Sequence, residues 1–356
     1  MSEGMRVLKS KNTLDRQSWL NLWQDWPSRE PFAHPTYAEA FLDPGYEAVC
    51  AVKCTPTGRV MLPLIQRTLT TFDWAKDLGY SDLTTPYGYG GAYFWGEVDG
   101  DAFWNEFDEW AGQNKIVSLF ARLSLFPNSI LPFRGNTRYV MDNIVRSLDL
   151  NEDLMWMDYE HKVRKNVLKS KRNDVQVEWD HRGTRLKDFQ TIYKSTMVRR
   201  EASQGYFFSD SFFRDLIAGC ADSVAFIHAT RHGRVISSEM LLVGSDHVYS
   251  FLGGTESDSF ELRPNDLLKH EIIRWCRDQG KSFFVLGGGL SADDGLVRYK
   301  NSFAPKDGRV PFYVGERILD YDANEELILR RKKIEPEWES DQMFFPSYRS
   351  LSPVKG

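Results

Sequence analysis

A cluster of six cationic side chains lies between residues 151 and 172 of a chain whose overall composition is acidic. The six are Lys162, Arg164, Lys165, Lys169, Lys171 and Arg172. Neighbouring cations repel one another and are stabilised when phosphates neutralise them, so the cluster favours a phosphate-rich ligand such as an RNA end or a nucleotide. The other interpretation is a solvated helix face with Glu160 and Asp174 as counter-charges. Few aromatic residues alternate with the cations, so the cluster does not predict base stacking.

Two further cationic segments have a chemistry that depends on where the fold places them. Arg199 and Arg200 end a predicted helix; their guanidinium forks suit a diphosphate, although cations at a helix C-terminus also complement the helix dipole. Lys300 follows Tyr299, a short loop after the glycines at 287–289. A lysine near the carboxyl end of a strand can hold its charge against a developing oxyanion, and the alternative is an ordinary surface lysine.

Glycine-rich segments at 88–91 and 287–289 follow predicted strands. Glycine permits a close approach of the backbone to a ligand, but turns also require glycine, and turn formation is the simpler interpretation. Neither segment has the spacing of a dinucleotide-binding or P-loop motif. The sequence also lacks a nucleophile elbow, a Cys/His nucleophile pattern and a convincing carboxylate pair, which argues against covalent hydrolase chemistry.

The cysteine and histidine content predicts neither a disulfide framework nor a metal site. The chain has four cysteines, Cys50, Cys54, Cys220 and Cys276, and its 7 histidines are scattered. So few cysteines in a chain of this length are typical of buried thiols. Cys50 and Cys54 have a spacing that suits a metal, but no second pair matches them.

The composition indicates a folded chain with more than one domain. Its 356 residues carry 45 basic and 50 acidic side chains, a net charge of −5, and are 42% hydrophobic and 14% aromatic. These values exclude global disorder, and the length favours two domains. No apolar run reaches the roughly 18 residues of a membrane span, and the first residues lack a signal-peptide pattern. We therefore expect a cytoplasmic protein with no membrane span.

Hydrophobic periodicity predicts the elements that position these residues. In the first half it predicts a helix at 13–25 capped by Thr13, a hairpin of strands at 47–53 and 60–66, a helix at about 101–113 and a strand at 116–120. Between the halves it predicts helices at 151–172 and 186–202 with a strand at 175–179. In the second half it predicts strands at 223–230, 235–243 and 247–252, a helix from Arg263 through Gln279 and a strand at 283–286.

The order of hairpin, strand, helix and strand occurs in both halves. It predicts an α/β (α+β) protein made of two copies of one unit, each a mixed central sheet flanked by helices. The repeat is one of pattern, because the halves share no residue-level identity.

The second half resembles the FemAB-like branch of the GNAT acyltransferases. This branch contains the aminoacyl-tRNA-dependent transferases that attach amino acids to peptidoglycan precursors, together with proteobacterial relatives. The resemblance rests on residues 159–165 (YEHKVRK), 193–197 (YKSTM) with Arg200, 206–208 (YFF), 251–255 (FLGGT), 264–265 (PN), 286–289 (LGGG), 299–300 (YK) and 303–305 (FAP). Residues 32–37 and 85–91 are the similar pieces of the first half.

The resemblance implies two tandem GNAT-like domains. The first comprises residues 1–155 and is completed by the C-terminal segment 321–356. The second comprises residues 156–320 and includes the basic inter-domain helix.

The resemblance also implies roles for individual residues. Lys300 stabilises the oxyanion that forms when an amine attacks an ester carbonyl, and Tyr299 positions Lys300. The residues expected to bind substrate are Arg200 and Arg199, which would hold acceptor phosphate, with Tyr206, Tyr87, Asn265 and Gly288. The residues expected to bind nucleic acid or phosphate are Lys162, Lys165, Lys169, Lys171 and Arg172.

Two departures from related proteins limit the choice of substrates. Family members that act on muramyl peptides carry an N-terminal lysine that meets the acceptor's phosphates, and the nearest position here is Phe41. Ordinary CoA-dependent GNATs cradle pyrophosphate in a glycine-rich loop before a helix. Here residues 254–264 (GTESDSFELRP) are acidic, which disfavours a conventional acetyl-CoA site. The phenylalanine in place of the N-terminal lysine disfavours a muramyl acceptor.

The leading expectation is therefore an enzyme that forms an amide bond by transferring an aminoacyl group from aminoacyl-tRNA to an amine. The amine belongs to a small-molecule or nucleotide-linked acceptor. One alternative is a CoA- or carrier-protein-dependent N-acyltransferase that acts on a sugar or metabolite amine in polysaccharide or natural-product biosynthesis. Another is a catalytically inactive GNAT pair that binds RNA or a nucleotide. No cofactor is expected beyond the aminoacyl-tRNA or acyl thioester co-substrate. The acyl group, the amine, the proton acceptor and the oligomeric state stay open.

Overall fold

The computed structural model describes residues 4–289, 295–306, 308–341 and 343–351. The chain divides into two compact units. Unit 1 comprises Met1–Trp26, Phe32–Val140 and Phe312–Gly356, and unit 2 comprises Pro27–Pro31 and Met141–Pro311. The units thus divide at 140/141 and 311/312, whereas the resemblance places the divisions at 155/156 and 320/321. The C-terminal segment belongs to the unit that the N-terminal residues form.

Strands and helices alternate along the chain. The strands are β1 (Arg6–Lys9), β2 (Glu47–Cys54), β3 (Gly58–Thr68), β4 (Ser81–Thr84), β5 (Tyr93–Gly96), β6 (Ile116–Arg122), β7 (Asn136–Ser147), β8 (Gln176–Asp180), β9 (Val224–Arg231), β10 (Arg234–Val243), β11 (His247–Thr255), β12 (Phe283–Gly287) and β13 (Arg309–Ile318). The helices are α1 (Thr13–Asp25), α2 (Pro35–Glu39), α3 (Gly100–Gln113), α4 (Glu152–Asp158), α5 (His161–Arg172), α6 (Leu186–Arg199), α7 (Asp210–Gly219), α8 (Pro264–Asp278), α9 (Gly295–Asn301) and α10 (Tyr321–Ile334).

Unit 1 is built on a mixed sheet. Its strand order is β1-β2-β3-β4-β6-β13, and β5 pairs with β3. β4 and β6 are parallel, and the other neighbours are antiparallel. Phe103, Trp104 and Phe107 of α3 are buried against the sheet. Burying these aromatic side chains gives the helix its stability, since each removes a large apolar area from water.

Unit 2 has a second mixed sheet, in the order β7-β12-β11-β10-β9-β8. β11 and β12 are parallel, and the other neighbours are antiparallel. Successive side chains of a strand point to opposite faces of the sheet, so each face can pack against a different helix. α8 packs on the face that bears Glu239 and Leu241, and α6 packs against Gly254 on the other.

The predicted repeat of one α/β unit is confirmed. In unit 1 the order is the β2–β3 hairpin, β4, the short strand β5, α3 and β6, and in unit 2 it is the β9–β10 hairpin, β11, α8 and β12. β4 is parallel to β6, and β11 is parallel to β12. Three of the four cysteines are buried, as predicted. Among the described residues, no helix is long and apolar enough to cross a membrane.

The structure corrects three local predictions. Asn12, not Thr13, caps α1, because its side chain accepts the backbone N–H groups of the first turn. The predicted helix at 151–172 is interrupted at Tyr159, whose backbone is extended while its ring is buried beside Phe303. The predicted helix at 186–202 ends at Arg199, because Glu201 adopts a left-handed conformation.

Candidate functional site

The parallel strands of unit 2 pair over only part of their length. Among the described residues, β11 pairs with β12 at His247, Val248 and Tyr249, although β11 continues to Thr255. The pairing of β10 with β11 shifts register between Met240 and Leu241, which makes Phe251 the extra residue of a bulge. We call the place beyond Tyr249 and Val285, where the two strands no longer pair, the gap between β11 and β12. Ligands of open α/β sheets bind at the carboxyl ends of the strands.

Lys300 lies at the carboxyl end of β12. It is in α9, and its half-buried Nζ donates a hydrogen bond to the Gly288 carbonyl at 2.6 Å. Gly287 has a φ of +83°, and a Cβ there would lie 3.4 Å from this Nζ. The glycines therefore form a turn, and they also let the Lys300 ammonium approach the backbone. Turn formation and close approach, the two explanations for glycine in this segment, both apply. A cation is thus held at the edge of the gap.

Tyr299 joins the start of α8 to α9. Its hydroxyl accepts a hydrogen bond from Asn265 Nδ2 at 2.9 Å, and its ring packs against Phe303. Burial raises the pKa of the Tyr299 hydroxyl well above its ordinary value, and the carboxylates of Asp266 and Glu239 raise it further. Tyr299 therefore stays protonated and anchors α9, the helix that carries Lys300. Its hydroxyl contacts Asn265 and its ring contacts Phe303, so an influence of these contacts on Lys300 would pass through the helix.

The start of α8 contains a buried carboxyl group, that of Asp266. Pro264 takes the first helical position and has no N–H, and Arg263 before it is left-handed with a φ of 57°. Asp266 lies in the first turn, is 7% exposed and accepts a hydrogen bond from Asn166 Nδ2 at 3.0 Å. Burial raises the pKa of Asp266, while Asn166, Arg263 and Lys162 favour its charged form. A helix N-terminus in this state is a poor cradle for pyrophosphate.

A buried ion pair lies on the same face of the sheet, and the sequence interpretation missed it. Lys269 of α8 donates to Glu239 of β10 at 2.5 Å and to Ser250 Oγ of β11 at 2.7 Å. The side chains of Lys269 and Glu239 are only 6% and 4% exposed. Two signals were available: Glu239 directly precedes the apolar run 240–243 of its strand, and Lys269 lies on the buried face of its helix. Charges buried in this way are paired, because an unpaired one is costly.

Four cations form a stripe along α5. Lys162, Lys165, Lys169 and Arg172 recur at intervals of three, four and three residues, which places them on one helix face. Val163, Val167 and Ser170 are buried on the opposite face. At 1.5 Å per residue the stripe is about 15 Å long. We call these four residues the α5 stripe.

Ion pairs neutralise only part of the cationic cluster. Lys169 contacts Glu261 at 3.4 Å, and Lys171 contacts Glu271 at 3.0 Å. These partners come from the segment before α8 and from α8 itself, so the counter-charges expected at Glu160 and Asp174 are not the ones that the structure pairs with the lysines. Within the described residues, Lys162, Lys165 and Arg172 have no ion pair.

The α5 stripe begins beside the helix that carries Lys300. The backbone N–H of Glu160, directly before α5, donates to the carbonyl of Ser302, directly after α9, at 3.0 Å. Asn166 and Lys171 of α5 contact Asp266 and Glu271 of α8, so the two helices run side by side in the same direction. The stripe therefore leads away from the gap along the surface of unit 2.

Arg199 and Arg200 differ in their surroundings. Arg199 donates to the carbonyl of Thr255 at 3.1 Å, and its guanidinium lies over the ring of Phe260. It thus closes the carboxyl end of β11 and is already engaged. Arg200 caps α6 and is exposed. The ring of Tyr206 is 38% exposed, and its carbonyl accepts the hydroxyl of Tyr193 at 2.7 Å.

Tyr87 belongs to unit 1. Its ring is 40% exposed and lies 5.7 Å from the Arg122 guanidinium, and its carbonyl accepts the Tyr37 hydroxyl. Arg122 ends β6 and Thr84 ends β4, so Tyr87 marks the corresponding edge of the parallel pair in unit 1. Phe41 packs against both Tyr37 and Tyr87.

Unit 2 thus brings most of the predicted residues to one edge. Lys300, Gly288, Tyr299 and Asn265 surround the end of β12 and the start of α8, Arg199 closes β11, and the α5 stripe starts nearby. The arrangement can place a fixed cation beside a carbonyl and attract a polyanion. In the described ranges, no group of three or more His, Cys, Asp or Glu side chains could hold a metal ion.

Comparisons with known proteins show what the chain is similar to in family and in fold. Residues 159–301 match the family of the acetyltransferase (GNAT) domain. The structure is similar to the crystal structure of FemX, with a TM-score of 0.64, 14% identity, and coverage of 87% of this chain and 97% of that one. No curated protein matches the chain.

Two further solved structures are also similar. L-PGS from Bacillus licheniformis gives a TM-score of 0.54 at 10% identity, with 90% of this chain and 96% of that one covered. The C-terminal domain of a putative lysylphosphatidylglycerol synthetase from Agrobacterium fabrum gives 0.52 at 12% identity, with 90% and 97% covered. At these identities the similarity concerns the fold alone.

Proposed function

We propose that the chain, whose residues 159–301 match the acetyltransferase (GNAT) domain and whose fold is similar to that of FemX, is an N-acyltransferase whose donor is aminoacyl-tRNA. The acceptor is an amine, and the product is an amide.

The observation that carries the donor assignment is the α5 stripe and its position. A stripe about 15 Å long spans more than one phosphate interval of a nucleic acid strand, and it starts beside the helix that carries Lys300. A tRNA acceptor end that follows the stripe brings its 3′ ester towards the gap between β11 and β12. Because Lys162, Lys165 and Arg172 have no ion pair within the described residues, RNA phosphates supply counter-charges that the protein does not.

The start of α8 supports an RNA ester over a CoA thioester. In a pyrophosphate site the first backbone N–H groups of the helix point at the ligand. Here Pro264 lacks one of them, and the buried carboxylate of Asp266 occupies the same turn. The charged form of Asp266 would repel a pyrophosphate at this position.

The reaction needs no covalent enzyme intermediate, because the ester is already activated. The amine nitrogen attacks the ester carbon and forms the C–N bond, and the bond from that carbon to the ribose oxygen breaks. The Lys300 ammonium stabilises the negative charge on the carbonyl oxygen in between. One proton passes from the amine to the departing ribose oxygen, so protons and charges balance. The protein orients both substrates and supplies the fixed cation.

The test is a titration of the purified protein with an acceptor-stem minihelix across a salt series, with acetyl-CoA as the parallel ligand. We expect the minihelix to bind and acetyl-CoA not to bind. The variants Lys165→Gln and Arg172→Gln should each lower the slope of log K against log salt by about 0.7 to 0.9, the value for one lost phosphate contact. Lys187→Gln, which removes an exposed cation of α6, is the matched control. Binding of acetyl-CoA without binding of the minihelix would overturn the donor assignment and favour a thioester-dependent enzyme.

A further inference from the structure

A cavity of about 450 Å³ lies in unit 2, away from the gap between β11 and β12. Val224 and Ala225 at the start of β9 and Val243 at the end of β10 line it. These positions are at the amino end of β11, about 25 Å from its carboxyl end, since a strand rises about 3.3 Å per residue. The volume is in the range of small-molecule sites. Nothing in the acyl-transfer reaction uses this cavity.

One wall of the cavity is aromatic. Trp275 of α8 and His181 line it. The ring centroids of Trp275 and Trp179 are 4.6 Å apart, and His181 lies parallel to Trp179 at 6° with centroids 5.8 Å apart. The rings of Trp275 and Trp179 are each only partly buried. A layer of aromatic rings that borders an open cavity, together with the apolar residues of β9 and β10, favours a flat apolar ligand.

The rim of the cavity is polar and carries a net positive charge. Arg182 and Lys281 lie there with a single carboxylate, Asp222. Lys281 Nζ donates to the carbonyls of Gly244 and Ser245 at 2.7 and 2.9 Å, which takes two of its three N–H donors. Within the described residues, neither the Arg182 guanidinium nor the Asp222 carboxylate has a side-chain partner. Two cations against one carboxylate favour a ligand with one negative group.

We propose that this cavity is a second binding site and that its ligand is a small planar aromatic anion. The ring lies against Trp275, and the anionic group lies between Arg182 and Lys281. Asp222 accepts a hydrogen bond from a donor on the ring edge. A nucleoside monophosphate and an aromatic carboxylate share this chemistry, and the experiment separates them. The site is independent of the proposed acyl transfer.

The experiment is isothermal titration calorimetry of the full chain with four probes. AMP and indole-3-acetate each have a ring and an anionic group, adenosine has the ring alone, and ribose 5-phosphate has the anion alone. We expect one of the two ring-bearing anions to bind at least tenfold more tightly than adenosine and ribose 5-phosphate. Tighter binding of AMP identifies a nucleotide site, and tighter binding of indole-3-acetate identifies a carboxylate site.

Variants locate the binding. Arg182→Gln removes an exposed side chain and should weaken the ring-bearing anion about tenfold, the effect of one charge-assisted hydrogen bond. Trp275→Leu should weaken it by at least as much, with circular dichroism to confirm the fold. Arg214→Gln, an exposed site on α7, should change nothing. The proposal is wrong if neither ring-bearing anion binds at millimolar concentration, or if Arg182→Gln leaves binding unchanged. Minihelix binding by Arg182→Gln protein reports separately on the acyl-transfer proposal.

Discussion

The buried ion pair of Glu239 and Lys269 gives a stability prediction that can be worked out from the structure. Glu239→Gln leaves the Lys269 side chain, which is 6% exposed, without its counter-charge; Ser250 Oγ and the new amide oxygen can accept its hydrogen bonds, but neither carries a negative charge. Removing one member of a buried pair costs about 3 to 5 kcal/mol, because the other charge stays desolvated. We expect Glu239→Gln to lower the free energy of unfolding by this amount, and Lys269→Met to have an effect of similar size.

The double variant Glu239→Gln/Lys269→Met decides whether the cost comes from the pair. It removes both charges, so its loss should be much smaller than the sum of the single losses, with a coupling of about 2 kcal/mol or more. Urea unfolding followed by circular dichroism measures all three. Asp258→Asn, which opens the exposed pair with Arg234, is the control and should hardly change the midpoint. Additive losses, or a loss below about 1 kcal/mol for Glu239→Gln, would refute this reasoning.

Three further predictions concern single side chains. Burial lowers the pKa of His270 to about 4. Since this histidine is protonated near pH 6.5 in the unfolded chain, the free energy of unfolding should fall as the pH drops from 6.5 to 4, by up to about 1.4 kcal/mol per pH unit. Urea titrations at each pH measure this slope, and His270→Gln should flatten it. Gly254→Ala should destabilise the protein by about 1 to 3 kcal/mol, since its Cβ would lie 2.4 Å from Thr196 Oγ1 and 2.9 Å from a backbone oxygen of α6; an unchanged thermal midpoint would contradict this. Tyr299→Phe should cost about 1 to 3 kcal/mol because the amide of Asn265 loses its buried acceptor, and unfolding by urea measures it.

The parts of the fold that could be predicted depend on local patterns. The β9–β10 hairpin and the helix α8 were predicted from alternation, turn residues and helical periodicity. Each of these signals lies in residues that are close together in the chain. β7 was not predicted, because only its second half is buried and its partner β12 is more than 130 residues away in the chain. β13 and α10 were missed for the same reason: their place depends on distant strands.

The break between α4 and α5 shows the limit of helical periodicity. Residues 151–172 have a continuous helical pattern, and local sequence gives no reason for an interruption. The reason is tertiary: the ring of Tyr159 packs against Phe303 and His270, and Glu160 donates its backbone N–H to Ser302. The contacts that position the start of the α5 stripe are therefore made with residues far away in the chain, and the local sequence does not reveal them.

The candidate site was predictable in its cations and not in its acids. Lys300 and the glycines at 287–289 are close in sequence, so their contact follows from a strand, a loop and a helix. The partners of Lys169 and Lys171 are Glu261 and Glu271, about 90 to 100 residues away in the chain, so the nearby acids misled the assignment. Asp266 shows the same effect, since only the packing of α5 on α8 reveals its burial.

The most direct test of the central claim uses a minihelix charged with a radiolabelled amino acid. The protein is incubated with it and with the small-molecule fraction of a bacterial extract as the source of amines. Mild alkali then hydrolyses the ester and spares an amide. The account predicts alkali-stable label with the unmodified protein, none with Lys300→Met, and minihelix binding that is equal in both. Lys187→Gln is the control and should behave like the unmodified protein. Label that stays in the ester with every protein, or an equal yield of amide from Lys300→Met, would contradict the account.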